Sequence, residues 1–211
     1  LRDMTGGLVC FGLWGPRARD ILSSVTRDDL SNDGFPFLTA REITVGSVPV
    51  TALRVTYVGE LGWELYAPAE YGRSLWDAGR SHGLVAGGYR AIDALRLEKG
   101  YRVWSSDITP DETPFDAGLG FAVALDKGDF IGREALLRIK AEGVRRKLAS
   151  FTVEGFAPFH SGETILHGSK VVGQTTSAGF GHTLGKTIAF GYLPVDLAGE
   201  TDFTIEAFGK S

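Results

Sequence analysis

Glycine is the residue that most constrains how this chain can fold. Twenty-nine of the 211 residues are glycine, roughly twice the usual share of about 7%, and they are spread along the chain without a repeat period. The apolar runs between them are short, as in residues 8–14, which lie between Gly7 and Gly15. Because glycine readily adopts the backbone angles of tight turns, this pattern predicts many short strands and helices joined by tight turns.

The composition indicates a globular protein without a polyanionic partner. Hydrophobic residues make up 43% of the chain and charged residues 23%, and its 22 basic and 26 acidic residues are interspersed, giving a formal net charge of -4. The sequence has no basic stripe of the kind that binds nucleic acid or a membrane surface. It also has no run of about 18 apolar residues, the length needed to span a bilayer. We therefore expect no nucleic acid and no membrane among the partners, and no signal peptide.

Cysteine and histidine are too few and too scattered to form a structural metal site. Cys10 is the single cysteine, and the four histidines do not have the spacing of zinc ligands. A lone cysteine excludes an internal disulfide, which favours a reducing compartment. We predict a cytoplasmic protein without a bound metal.

The first two thirds of the chain have the pattern of an α+β fold. Residues 8–14 predict a buried strand, and Pro16 suits the first turn of a following helix. Extended segments between residues 42 and 68 predict an antiparallel sheet. Helices are predicted around residues 70–81 and 90–99, the second of them ended by a glycine.

The last third has the pattern of an all-β domain. Residues 105–132 predict a long ordered loop with one strand at residues 119–125, and a short helix at residues 133–142 ends at Gly143. We place a domain boundary there, with domains at residues 1–143 and 144–211. The second domain is predicted to be a small barrel or sandwich. Its predicted strands are residues 148–153, 164–166, 171–172, 187–192 and 203–208.

A glycine-flanked segment within the predicted sheet suits recognition of a flat heterocycle. If residues 59–62 form a tight hairpin turn, Tyr57 lies opposite Glu64 on one face of the sheet. An aromatic ring can then stack on a heterocycle while the carboxylate accepts hydrogen bonds from two adjacent N–H groups. The alternative is an ordinary cross-strand pair on a solvated face.

This segment resembles the pterin-binding motif of the aminomethyltransferase (glycine-cleavage T-protein) family, which consists of a Tyr, a Gly-Glu and a Gly-aromatic-Glu. The matching positions are Tyr57, residues 59–60 and residues 62–64. Further segments resemble the family in the same order along the chain: residues 12–16, 94–100, 107–119, 126–134, 173–179 and 188–192. The resemblance implies an α+β, T-protein-like folate-binding portion followed by a small all-β barrel.

The resemblance also implies tetrahydrofolate as the cofactor, bound by Tyr57, Glu64, Arg96 and Trp104. Two of these residues have alternative interpretations. Arg96 can instead be a helix arginine that holds a neighbouring carboxylate, and Trp104 can belong to the core. Asp107, beside a Thr-Pro pair, is interpreted as a residue that caps a turn.

Residues 101–121 are most similar to the branch of the family fused to flavin-dependent dimethylglycine and sarcosine dehydrogenases. In that branch a flavin domain oxidises an N-methyl amine, and the folate half captures the one-carbon unit. The chain has no Gly-x-Gly-x-x-Gly motif, so FAD is expected only in an upstream domain. The implied partners are folate, a small amine-derived one-carbon donor, and an upstream flavin domain or a lipoyl carrier protein. In a eukaryote the implied compartment is the mitochondrial matrix.

The catalytic aspartate of the family has no clear counterpart in this chain. In the family it precedes the strand matched by residues 8–14, and Asp3 lies too close to that strand to replace it. We therefore predict no catalytic residue within the chain, and an isolated chain without activity. The leading hypothesis is the tetrahydrofolate-binding, one-carbon-transfer portion of a larger enzyme. The alternative is a folate-binding or subunit-docking module without activity of its own.

Overall fold

The structure, a computed structural model, describes residues 2–207. They form two compact units, which divide between Ile92 and Asp93. The first combines an antiparallel sheet with helices, and the second contains a larger antiparallel sheet. The predicted α+β class is therefore confirmed. No helix among the described residues is both long and apolar enough to cross a bilayer.

The first unit is a four-stranded antiparallel sheet with helices packed on one face. The strand order is β1-β4-β3-β2. The strands are β1 (Leu8–Trp14), β2 (Ala40–Val45), β3 (Val48–Leu53) and β4 (Gly62–Pro68), and the helices are α1 (Ala18–Ser23) and α2 (Gly72–Arg80). One buried cluster joins the sheet to both helices and includes Leu13, Leu22, Phe35, Val50, Trp63, Leu65 and Leu75. Because side chains alternate along a strand, the intervening residues of β1 and β4 lie on the opposite face.

The predicted tight hairpin at residues 59–62 is wrong. β3 ends at Leu53, which pairs with Glu64, and residues 54–61 form a loop. The observed register places buried Ala52 opposite buried Leu65. Pairing Tyr57 with Glu64 would instead place Thr56 opposite Leu65 and Arg54 opposite Ala67, against the core. The hydrophobic face of a strand therefore sets the register here, and it outweighs the two glycines.

The second unit contains a five-stranded antiparallel sheet that curls into a half-barrel, with strand order β5-β8-β7-β6-β9. Its strands are β5 (Arg146–Glu154), β6 (Thr164–His167), β7 (Lys170–Gly181), β8 (Lys186–Pro194) and β9 (Phe203–Glu206). Register shifts in β6 and β7 interrupt the ladders, as is common where a sheet bends. Between residues 148 and 207 the helical residues are a single 3-10 turn, Val195–Leu197, so the predicted all-β character is confirmed there. Phe208, the end of the last predicted strand, lies outside the described residues.

Two helices precede this sheet, and one predicted strand is absent. Helix α3 (Tyr89–Lys99) crosses from the first unit into the second, and α4 (Arg133–Glu142) ends at Gly143, whose φ is 81°. The strand predicted at residues 119–125 is wrong, since the segment contains a 3-10 turn, Gly120–Ala122. Its backbone forms local hydrogen bonds, and Phe121 is 88% exposed, so this apolar run is not a core strand. The domain boundary at Gly143 stays a prediction.

Candidate functional site

Glu64 lies on the face of the first sheet that is opposite the helices, and a neighbouring tyrosine holds its carboxylate. Glu64 and Tyr66 alternate along β4 with buried Trp63 and Leu65. The Tyr66 hydroxyl donates a hydrogen bond of 2.7 Å to Oε2 of Glu64, and both residues are half-buried. Among the described residues no hydrogen bond reaches Oε1. One oxygen of a fixed carboxylate is therefore available to a ligand.

An indole ring lies beside this carboxylate. Gly12 of β1 pairs with Glu64, and Trp14 pairs with Gly62. A Cβ built on Gly12 would overlap the Trp14 ring, so the absence of a side chain at Gly12 allows the indole to lie there. Nε1 of Trp14 donates to the Val55 carbonyl over 3.2 Å, which fixes the ring. The face thus combines a flat aromatic surface with a carboxylate.

The protonation of the tyrosine suits its role as a donor. The hydrogen bond to Glu64, together with burial, raises the pKa of Tyr66 well above its ordinary value. Desolvation and the charge of Glu64 raise the pKa of Cys10, which lies opposite Tyr66 in β1. At neutral pH the Tyr66 hydroxyl therefore keeps its proton and continues to donate.

Tyr57 lies in the ordered loop between β3 and β4. The loop is tied to the end of β1, because Trp14 donates to Val55 and the backbone N–H of Gly15 donates to the Leu61 carbonyl over 2.9 Å. Tyr57 is half-buried there, and it does not face Glu64 across a strand pair. Its role as a folate-binding residue stays a prediction.

Arg96 is buried in the second unit, with a relative exposure of 2%. Its guanidinium donates to Asp93 at 2.8 Å and to Asp107 at 2.7 Å. It also donates to the Ser177 hydroxyl at 2.8 Å and to the Tyr101 carbonyl at 3.1 Å. This arrangement matches the alternative of an arginine that holds neighbouring carboxylates. Folate binding by Arg96 stays a prediction.

Asp107 is fully buried and does more than cap a turn. Its Oδ2 accepts the Val103 backbone N–H at 3.0 Å, which is the predicted cap, and also accepts the Arg96 guanidinium. Its Oδ1 accepts the Thr176 hydroxyl, and its backbone carbonyl accepts the Tyr192 hydroxyl at 2.8 Å. The carboxylate therefore connects the loop after α3 to β7.

Trp104 projects from the loop that this aspartate holds. Its side chain is 67% exposed, so the core-packing alternative is wrong. The next residue, Ser105, has a φ of 76° and donates its backbone N–H to the Ile108 carbonyl. A positive φ is sterically unfavourable for a residue other than glycine. The tight loop around Ser105 presents the Trp104 indole outward. Ligand binding by Trp104 stays a prediction.

The structure also identifies two residues that sequence reasoning did not assign to the site, Trp14 and Tyr66. Their signal is the two-residue period of β1 and β4, which places both on the Glu64 face. That period becomes informative only when these two strands are known to pair. They are separated by about 50 residues in sequence, and the pairing is a property of the folded chain.

A separate group on the second unit has the spacing of metal ligands. Among the described residues, ligand atoms of His167, Glu200 and Asp202 lie within 4.8 Å of one another. Nε2 of His167 is 3.1 Å from Oδ1 of Asp202, which is 78% exposed. Exposed carboxylates close to a histidine are common without a metal. The prediction that the chain binds no metal stays a prediction.

Comparison with known proteins gives matches over nearly the whole chain. Residues 1–127 match the family model described as GCVT N-terminal domain, and residues 146–211 match the glycine cleavage T-protein C-terminal barrel domain. Sarcosine dehydrogenase, mitochondrial, from Mus musculus is 45% identical over 198 residues, which are 92% of this chain and 22% of that protein. Dimethylglycine dehydrogenase, mitochondrial, from Homo sapiens is 42% identical over 205 residues, which are 94% of this chain and 24% of that protein.

A solved structure has the same fold. The glycine cleavage system aminomethyltransferase T from Bartonella henselae superposes with a TM-score of 0.86 at 31% sequence identity. The match covers 96% of this chain and 56% of that protein. The chain thus spans about half of that aminomethyltransferase and less than a quarter of each of the two dehydrogenases.

Proposed function

Because this chain belongs to the glycine cleavage T-protein family, we propose that it is the tetrahydrofolate-binding, one-carbon-transfer portion of a T-protein-like or dimethylglycine/sarcosine dehydrogenase-like enzyme. The observation that carries this proposal is the half-buried Glu64 carboxylate beside the Trp14 indole. A pterin is a flat ring with adjacent N–H donors, and both of its features have a counterpart on this face.

In this proposal Glu64 accepts hydrogen bonds from the pterin N–H groups, and the Trp14 indole provides a stacking surface. Oε1 has both acceptor positions available, and Oε2 retains one beside the Tyr66 hydroxyl. Tyr57, Arg96 and Trp104 are proposed as further binding residues from the family resemblance. The exposure of Trp104 supports its assignment.

Bound tetrahydrofolate supplies the nitrogen nucleophile that accepts the one-carbon unit from a small amine-derived donor. The residues of this chain bind and orient the pterin, so that the two reacting atoms meet in a favourable geometry. The proposed partners are an upstream flavin domain or a lipoyl carrier protein. The proposed compartment is the cytoplasm, or the mitochondrial matrix in a eukaryote.

Calorimetric titration with tetrahydrofolate tests the proposal. We expect saturable binding of one tetrahydrofolate per chain, in competition with a reduced pterin that lacks the benzoylglutamate tail. Adenine is a suitable control, because it is a flat heterocycle with a different order of donors. Absence of saturable tetrahydrofolate binding, or equal binding of adenine, would contradict the proposal.

The isolated 211-residue chain is expected to form no methylenetetrahydrofolate from an aminomethyl donor, because the aspartate of the family has no clear counterpart in it. A longer protein in which the first half of a T-protein precedes these residues should form it. A coupled assay that follows methylenetetrahydrofolate oxidation measures both. Equal turnover by the short chain would contradict the expectation, and no turnover by the longer protein would favour the alternative of a non-catalytic module.

Replacing Gly12 by valine is expected to weaken tetrahydrofolate binding roughly three- to tenfold. The new side chain overlaps the Trp14 ring, which must leave its place beside Glu64, and an aromatic pair contributes about 0.5–1.5 kcal/mol beyond area burial. Titration calorimetry measures the change. Gly199→Ala is a matched control because nothing lies within 4 Å of a Cβ at that position. Equal affinities of the two variants would exclude Trp14 as a binding surface.

A further inference from the structure

We propose that Tyr66 is a positioning residue for tetrahydrofolate binding, because its hydroxyl anchors one oxygen of Glu64 and leaves the other directed to the ligand. This inference rests on the proposed function and deepens it. It starts from the 2.7 Å hydrogen bond that Tyr66 donates to Oε2 of Glu64. The two residues lie two positions apart on β4, so both side chains leave the sheet on the same face.

An anchored carboxylate binds a planar donor pair better than a freely rotating one. A glutamate side chain loses considerable rotamer freedom when a ligand orders it. The bond from Tyr66 orders the Glu64 carboxylate before the ligand arrives, which removes part of this cost from binding. The anchor uses one acceptor position of Oε2, so three acceptor positions remain on the carboxylate.

The neighbouring groups on this face do not replace the anchor. Thr51 lies opposite Tyr66 in β3, but its hydroxyl donates to Oε1 of Glu42 over 2.6 Å. Gly12, the residue opposite Glu64 in β1, has no side chain. Among the described residues, the hydrogen bond from Tyr66 is the one that a side chain donates to Glu64. The raised pKa of Tyr66 keeps this donor protonated through neutral pH.

A double-mutant cycle with Tyr66→Phe and Glu64→Gln tests the inference. Tyr66→Phe keeps the ring and removes the donor, and we expect tetrahydrofolate affinity to fall roughly five- to tenfold, since ordering a rotamer-rich side chain on binding has a cost of about this size. In the Glu64→Gln background the same change should cost less than about twofold, because coupled residues are not additive. Tyr71→Phe, at an exposed tyrosine after β4, should leave the affinity unchanged.

A second ligand separates positioning from a general effect on the fold. The neighbouring donors of a pterin are its 2-amino group and the adjacent ring N–H, so a tetrahydropterin that lacks the 2-amino group offers Glu64 one donor instead of two. For that ligand Tyr66→Phe is expected to reduce affinity less than for the natural pterin. A merely structural role would reduce the affinity of both ligands equally.

The outcomes distinguish this inference from the proposed function. If Glu64→Gln weakens binding and Tyr66→Phe does not, the positioning role is wrong and the folate site stands. An equal loss from Tyr66→Phe in both backgrounds also overturns the positioning role, because Tyr66 would then act independently of Glu64. If neither variant changes a measurable affinity, the proposed pterin-binding role of the Glu64 face is itself wrong.

Discussion

Replacing Asp107 by alanine is expected to lower the free energy of unfolding by about 3–5 kcal/mol. The carboxylate is fully buried, and its ion-pair partner Arg96 is 2% exposed. Removing one member of a buried pair leaves the other charge without its main compensation, which accounts for a loss of this size. The Val103 N–H and the Thr176 hydroxyl lose their acceptor as well. Urea denaturation followed by circular dichroism measures the change.

Asp77→Ala is the matched control for this prediction. It removes a carboxylate from the Arg73–Asp77 pair, which has a similar distance of 2.7 Å but is largely exposed. Exposed pairs of this kind contribute little to stability, so the denaturation midpoint should change little. If Asp107→Ala is tolerated as well as Asp77→Ala, the buried network is not a main contributor to the stability of the second unit.

Replacing Glu64 by glutamine is expected to weaken tetrahydrofolate binding roughly ten- to a hundredfold. The variant loses a charged acceptor and presents an amide N–H₂ group to the N–H donors of the pterin. The usual strength of charge-assisted hydrogen bonds places the loss at about 1.5–3 kcal/mol, and each 1.4 kcal/mol changes an affinity tenfold. Titration calorimetry at neutral pH measures the loss. An unchanged thermal midpoint would show that the variant is folded.

Much of the fold follows from local patterns in the sequence. Helix α4 has the predicted bounds, because Gly143 adopts the positive φ that suits a residue after a helix. Strand β1 has the predicted bounds, because glycines flank a short apolar run. It is an edge strand in which Leu13 alone is buried, so the predicted burial of the whole strand is wrong. The apolar run at residues 119–125 led to a wrong strand prediction. Its backbone groups form hydrogen bonds within local turns, and Phe121 stays exposed. Hydrophobic residues alone therefore do not show whether a segment joins a sheet.

Local sequence patterns do not determine the register in which β3 pairs with β4. The predicted and observed pairings of β3 with β4 differ by four residues, an even number, so both leave Glu64 on the same face. Only the match of Ala52 with Leu65 in the core separates them. This explains why the side of Glu64 was predictable although its cross-strand partner, Leu53, was not.

The remaining site residues depend on contacts between distant parts of the chain. Trp14 joins the Glu64 face through the pairing of β1 with β4, and Arg96 reaches Ser177 across 81 positions of sequence. No periodicity within one segment encodes such contacts. The hydrogen bond from Tyr66 to Glu64 is local, but it gains significance only once that face is recognised as a binding surface.

Parallel titration of Glu64→Gln and Glu60→Gln with tetrahydrofolate tests the central claim most directly. Both variants remove one carboxylate from the same region, but Glu60 lies exposed in the loop before β4 and Glu64 is half-buried on the sheet. We expect Glu60→Gln to bind within about twofold of the unmodified protein, and Glu64→Gln to bind roughly ten- to a hundredfold more weakly. Equal affinities of Glu64→Gln and the unmodified protein would contradict the role of Glu64 in folate binding. Glu64 would then be an ordinary residue on a solvated face of the sheet.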